Sequence, residues 1–413
     1  MAEVAPGPGA LVARTTRLDA DVELLFPGAV LFEGPDLGLA GTQELLRLDL
    51  PTGAGRVSAA AEVVAEALGA MTVEDDVGRP GTGPVAFCAL PFDDHAPATA
   101  LIPTTVLGRA ADGTRWLTTV GSPGERPDVV PIGAAAWPRG PSSYTVRPTR
   151  SPESWCDAVA EARGLVRAGA LAKVVLAREV VVEGDSAFLA HELLARLRAS
   201  YPAAFRFAID GLVGASPELL VARTGERVRS HPMAGTAPRS ADPSTDARLA
   251  ASLLASTKDR VEHQITIDFV LDALLPFCSY LDAEAEPSVV AMANVQHLAT
   301  LVQGRLSSPP ASALALAGAL HPTPAVCGSP REEARAAITR LEGFDRGRYA
   351  GPVGWVDANG DGAFAVAIRS AELDGTRAVL RAGVGVVADS DPDAELAESR
   401  AKLAALLGAL VSP

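Results

Sequence analysis

Of the 36 lysines and arginines in this chain only three are lysine, Lys173, Lys258 and Lys402. Arginine keeps its proton in a protein, whereas lysine can be driven to neutrality by burial or a neighbouring cation and then serve as a base. Lys173 lies in the apolar run Ala172-Lys173-Val174-Val175-Leu176, Lys258 opens Lys258-Asp259-Arg260-Val261-Glu262, and Lys402 follows Glu395-Leu396-Ala397-Glu398. One desolvated amine and two amines beside carboxylates suggest a base and a divalent metal acting together on an anionic substrate.

The carboxylates fall in pairs. Asp259 and Glu262, and again Glu395 and Glu398, are three residues apart, so on helices each pair projects from one face. Magnesium keeps several waters and takes one or two protein carboxylates plus substrate oxygens, which two such helices face to face could supply. A solvated acidic face with Lys402 as a surface partner of Glu398 is the plainer alternative. Glu218, in Ala215-Ser216-Pro217-Glu218-Leu219-Leu220, leads into an apolar strand, where burial would keep it protonated and able to act as an acid. Lys173 has its own alternative, a strand-end lysine whose head reaches water. Met233-Ala234-Gly235-Thr236 and Ala382-Gly383-Val384-Gly385 could cradle a carboxylate with backbone N–H groups, although turn geometry accounts for many glycines. Arg369 could pair bidentately with a carboxylate, and His297 and His321 show no metal-ligand spacing.

Composition narrows the partners. A hydrophobic fraction of 48% with 21% charged residues is that of a globular protein, against disorder or membrane residence. A formal charge of −14 without a clustered basic face argues against nucleic acid. An anionic substrate must then be drawn in locally, against the mean field. Cys88, Cys156, Cys278 and Cys327 form no C-x-x-C pair and fit a reducing compartment, and no cationic leader or long apolar run is seen, so a cytoplasmic location is expected. No leftover apolar stripe calls for a partner, and a monomer is expected.

Strands, helices and strands come in blocks without regular βαβ alternation, which predicts an α+β fold with antiparallel sheets. Before residue 150, Glu23–Phe26 and Ala86–Leu90 read as β-like and 59–71 as helical, with 138–143 a candidate hinge. Ser151-Pro152-Glu153 then signals a helix start, with Trp155, Val159, Ala162 and Val166 at helical spacing. Strands are expected over 171–182, 205–209 and 219–221, and helices over 188–197, 247–275 (one or two) and 393–410. A meander over 353–356, 363–370 and 378–387 turns at Asn359-Gly360-Asp361-Gly362 and Asp374-Gly375.

Taken together, the segments from about 145 to 410 resemble the chorismate-utilising enzymes, which include isochorismate synthase, salicylate synthase and anthranilate synthase component I. The matching motifs are Lys173 to Arg178, Ser216 to Leu220, Ala234-Gly235-Thr236, Lys258 to His263, His297 to Thr300, His321 to Gly328, Tyr349-Ala350-Gly351, Ala367-Ile368-Arg369, Ala382 to Gly385 and Glu395 to Lys402, with a fainter echo at Ala89 to Phe92. The resemblance implies a two-layer antiparallel β-sandwich core wrapped by helices, with 1–145 a variable N-terminal part of the same domain and 146–413 the chorismate-binding catalytic region. It also implies a magnesium ion on Glu262 and Glu398 with Glu395 close by, and a substrate pocket of Gly235, Thr236, His297, Ala325, Tyr349, Arg369, Gly383, Gly385 and Lys402.

Within the family, members that add ammonia resemble one another in carrying glutamine where this chain has Lys173, and those that add water carry lysine. Water needs a base and ammonia does not. Lys173 as base and Glu218 as acid would then give isochorismate, making the chain an isomerase. Salicylate-forming relatives tend to have threonine at the position of Ala325, which favours release of isochorismate over loss of pyruvate. Ala237 departs from the arginine many relatives carry there. The alternatives are a salicylate synthase and, in a different class, a chorismate-binding protein without chemistry.

Overall fold

The computed structural model describes residues 11–53, 55–124, 139–292 and 295–411. Strands dominate the first part: β1 (Val12–Leu18), β2 (Val30–Glu33), β3 (Leu37–Leu50), β4 (Thr72–Asp75), β5 (Val85–Ala89), β6 (Ala98–Ala110), β7 (Arg115–Gly121) and β8 (Tyr144–Pro148), interrupted by helix α1 (Arg56–Gly69). The β-like reading of Glu23–Phe26 is corrected. The Leu25 amide donates to the Glu23 side chain at 3.0 Å, a local bond that competes with a ladder, and Leu24 buries itself in an apolar cluster instead. Pro138, the first residue of the candidate hinge, lies outside the described residues. Immediately after that stretch, β8 pairs with β9 (Lys173–Gly184).

The helix predicted from Ser151 is α2 (Pro152–Arg167), where Ser151 accepts from the Ser154 amide and Trp155, Ala158, Val159 and Ala162 are buried. Helix α3 (Ala190–Ser200) begins two residues later than expected, and β10 (Phe205–Ile209), β11 (Leu212–Ser216), β12 (Leu219–Thr224), β13 (Arg227–His231) and β14 (Met233–Pro238) follow. The segment read as one helix or two is two, α4 (Pro243–Ala255) and α5 (Thr257–Leu274). Ser256 separates them in extended conformation and caps α5 by accepting from the Asp259 amide, which starts the helix at the residues carrying carboxylates. After β15 (Cys278–Ala283), β16 (Ser288–Ala291), β17 (Val295–Ala299) and β18 (Val302–Leu306) come α6 (Ala313–Leu320), the short β19 (Gly328–Ser329) and α7 (Arg331–Glu342).

The C-terminal meander is β20 (Pro352–Asp357), β21 (Gly362–Val366), β22 (Ser370–Asp374) and β23 (Arg377–Val386), closed by α8 (Pro392–Val411). One strand expected over 363–370 is broken. Arg369 takes φ 52, a left-handed conformation that ends the extended run and redirects the chain before β22.

Among the described residues, twenty strands join in one hydrogen-bonded sheet, while β14, β17 and β16 form a separate sheet of three. Among them pairing is antiparallel except between β1 and β4. Strand β2 pairs with β10, and β5 with β20, so residues before 145 share the sheet with those after it. Strand β5 explains the continuous apolar run read in the sequence. Val85, Phe87 and Ala89 enter a cluster built almost wholly of strand residues, whereas Ala86 and Cys88 enter one shared with helices, so both faces are buried. The strand-built cluster is the interior of a sandwich, and the helix-bearing clusters wrap it.

Candidate active site

The separated motifs converge on one cavity of about 120 Å³. Glu218 enters it just before β12, Gly235 and Thr236 from β14, His297 from β17, Glu262 from α5, and Glu395, Glu398 and Lys402 from α8. Ala325 comes from the α6–β19 loop, Tyr349 from the turn before β20, Arg369 from the break between β21 and β22, and Gly383 and Gly385 from β23. A second cavity of about 570 Å³ shares Pro217 and Met233 with the first but carries none of these acid, base or carboxylate groups.

Lys173 stands one layer back. Its side chain is 1% exposed and its Nζ lies 2.7 Å from Glu262 Oε1. The amine is desolvated as expected, and tertiary packing adds a carboxylate against it that no sequence neighbour supplies. Burial alone would raise the Glu262 carboxyl, but attraction to Lys173, with weaker help from Lys402 and Lys258, holds it below its ordinary value. A Cβ on residue 385 would come within 2.8 Å of Glu262 Oε1 and 3.0 Å of Lys173 Cε, so any side chain there has to displace this pair.

Glu218 is 3% exposed, and burial pushes its carboxyl up to about 8, opposed only in part by the Met233 amide and Lys173. At neutral pH it is a protonated acid. His297 is pushed down to about 3 by burial and then by Arg369 and Lys402, so its ring is neutral. Its Nδ1 is 3.2 Å from the Gly235 carbonyl, which can only accept; Nδ1 therefore carries the proton. Thr236 Oγ1 lies 3.2 Å from the same nitrogen and shares that contact. Arg369 makes no ion pair or side-chain hydrogen bond among the described residues, and burial lowers its pKa. A guanidinium in the cavity wall that forms no ion pair among the described residues, with Glu398 acting on it only at longer range, is a ready partner for a ligand carboxylate.

Glu395 and Glu398 repel one another. Burial first, and the Glu398 charge second, push Glu395 up to about 7. Lys402 relieves part of this by lying 2.6 Å from Glu398 Oε1 while donating to the Gly383 carbonyl at 2.9 Å. Among the described residues no three His, Cys, Asp or Glu side chains are gathered closely enough to hold a metal by themselves. The donor set still fits a magnesium ion that takes one or two carboxylates and completes its shell with water and substrate oxygens. Lys402 already supplies one cation to the Glu395–Glu398 pair, and the raised carboxyl of Glu395 relieves part of the remaining repulsion by holding its proton.

The family described as Chorismate binding enzyme has a sequence model that matches residues 136–411. The chain belongs to this family. A Mycobacterium tuberculosis protein named as a candidate isochorismate synthase MenF is 45% identical over 347 residues, covering 80% of this chain and 88% of that one. Isochorismate synthase DhbC of Bacillus subtilis is 43% identical over 279 residues, 65% of this chain and 70% of its own. The solved structure of MenF, the menaquinone-specific isochorismate synthase from Escherichia coli, superposes with a TM-score of 0.79 over 100% of this chain and 97% of that one; at 23% identity it shows the shared fold.

In this chorismate-binding enzyme every residue named from the sequence as a catalytic, substrate or metal candidate lines the cavity except Lys173, which reaches it through Glu262. His321 is structural, as its spacing suggested: buried, with Nε2 3.1 Å from the Phe92 carbonyl. His263 joins the scaffold too, its Nε2 2.7 Å from Thr300 Oγ1, which ties α5 to the end of β17. Val175 was given no role, yet it lines the cavity; the two-residue period of a strand places it on the face of Lys173 and could have found it. Met233, Val326, Ile368 and Arg381 line it as well; the first three fall within stretches named in the sequence, whereas Arg381 belongs to none of its motifs.

Proposed function

We infer that this chain converts chorismate to isochorismate. The observation that carries the reading is the meeting of Lys173, in the position where water-adding relatives carry lysine, with the buried acid Glu218 around one anion-receptive cavity. The identity with relatives named as isochorismate synthases over most of the chain supports it.

The reaction adds water at C2 of the ring and expels the C4 hydroxyl with migration of the double bonds, so water is consumed and released in equal measure. Lys173, as the free amine once its ammonium has passed a proton to solvent, takes a proton from the attacking water, and Glu218 gives a proton to the departing hydroxyl. Arg369 binds a substrate carboxylate, with the peptide groups of Gly235, Gly383 and Gly385 and the side chains of Thr236, Tyr349 and Lys402 shaping the rest of the pocket. Neutral His297 faces the ring, and Ala325 leaves it room without a hydroxyl that would hold the product. Magnesium, on Glu262 and Glu398 with Glu395 close by, would neutralise the ring carboxylate and the acidic wall.

No helix among the described residues is long and apolar enough to cross a membrane. A cytoplasmic monomer acting on chorismate, without nucleic acid, belongs to the same reading, as does 146–413 as its catalytic region. The test is incubation with chorismate and magnesium, with chromatographic separation of products. Isochorismate is expected; salicylate plus pyruvate as the main output would assign the chain to salicylate synthesis, and binding without turnover to a non-catalytic role.

A further inference from the structure

We propose that Arg346 and Glu342 are positioning residues, a buried ion pair that fixes the strand carrying Lys173 against the loop carrying Ala325. The inference rests on the chorismate-to-isochorismate reading above. Neither side chain lines the cavity; they are 2% and 1% exposed and lie 2.5 Å apart. Every bond they make beyond one another goes to backbone that does line it or adjoins it. Arg346 Nη1 donates to the Val326 carbonyl at 2.7 Å and Nη2 to the Val175 carbonyl at 2.8 Å, while Glu342 Oε1 accepts from the Ala177 amide at 2.7 Å. The guanidinium also stacks 4.4 Å from the Phe92 ring centroid and lies 5.9 Å from that of Tyr349.

Three walls of the site, namely Val175 on β9, Val326 beside Ala325, and Tyr349, thus meet on a single planar group. Stability alone does not ask for this arrangement, because a well-packed apolar pair of equal volume serves a core as well as a buried ion pair. What an apolar pair cannot do is set the separation of two carbonyls and an amide, which the rigid fork of arginine does with directed bonds. Strand β9 holds the base two residues from Val175, and the loop holds the ring-facing Ala325 one residue from Val326. Their relative placement decides how the attacking water meets the ring, and rates respond steeply to sub-ångström misplacement of reacting groups.

The test uses the full chain as wild type, as Arg346→Lys, and as the apolar double variant Glu342→Leu/Arg346→Met, with turnover of chorismate in magnesium and thermal melting measured for each. Arg346→Lys keeps a cation against Glu342 but loses the fork. A fall in kcat of roughly tenfold or more is expected, with KM changed by less than about threefold. The double variant, which takes these partners from the Val175 and Val326 carbonyls and the Ala177 amide, should stay folded with a lowered melting temperature and a kcat no better than that of Arg346→Lys. Wild-type kcat in either folded variant overturns the proposal, as does a kcat that returns together with the melting temperature in the double variant. Failure of both variants to fold assigns the pair to stability and overturns it equally. Wild type that yields no isochorismate refutes the underlying reading instead, so the two failures are distinguishable.

Discussion

Replacing Glu218 by glutamine tests the acid directly, because the amide keeps the shape and the hydrogen-bonding capacity but has no proton to give. Burial raises this carboxyl from 4.5 to about 8. A displacement of that size is worth roughly 5 kcal/mol of preference for the protonated form in the folded state, an order-of-magnitude figure. The unfolded chain releases this proton near 4.5 and the folded chain keeps it to about 8, so stability is lost as pH rises across that window and the loss is complete above it. Glu218→Gln has no such loss. Its stability relative to wild type should therefore climb with pH through the window, by up to about 1.4 kcal/mol per pH unit, in urea titrations at several pH values. Turnover should fall by about 10²–10⁴ while chorismate binding persists, and wild-type activity should decline as pH rises through about 8. Full activity in Glu218→Gln would remove it as the acid, and parallel stability–pH curves for the two proteins would refute the burial argument.

Lys173→Met should abolish turnover and leave Glu262 buried without its partner, destabilising the metal-free protein by roughly 3–5 kcal/mol. With the competing ammonium gone, magnesium should raise the melting temperature more than in wild type; an equal rise would dissociate Glu262 from the metal. Arg369→Met should raise KM for chorismate by about tenfold or more without lowering the melting temperature, since the guanidinium has no ion pair to lose among the described residues; a large drop in melting temperature would mark it as structural instead. Gly385→Ala places a methyl 2.8 Å from Glu262 Oε1 and should depress kcat by spreading the Lys173–Glu262 pair; unchanged kcat would show that this contact is not needed.

The amino-acid sequence by itself determined the kinds of group and their order along the chain: a lysine in an apolar run, an acid at a strand start, carboxylates three apart on helices, and the motif order of the chorismate-binding enzymes. Element positions were legible where a cap or a period was local, as at Ser151 and the turns of the meander, whereas the sequence does not decide whether 247–275 divides at Ser256. Tertiary structure decided what each group faces. Lys173 and Glu262 are far apart in sequence yet 2.7 Å apart in space, and local periodicity carries no information about such a partner. Arg369 enters the cavity because a left-handed residue breaks what alternation reads as one strand. Glu342 and Arg346 stand four residues apart, a spacing to which the sequence attaches no role, and only burial among the β9 and Val326 backbone groups sets them against the site. Charge state follows from neighbours and desolvation, and both are properties of the packed molecule rather than of the chain.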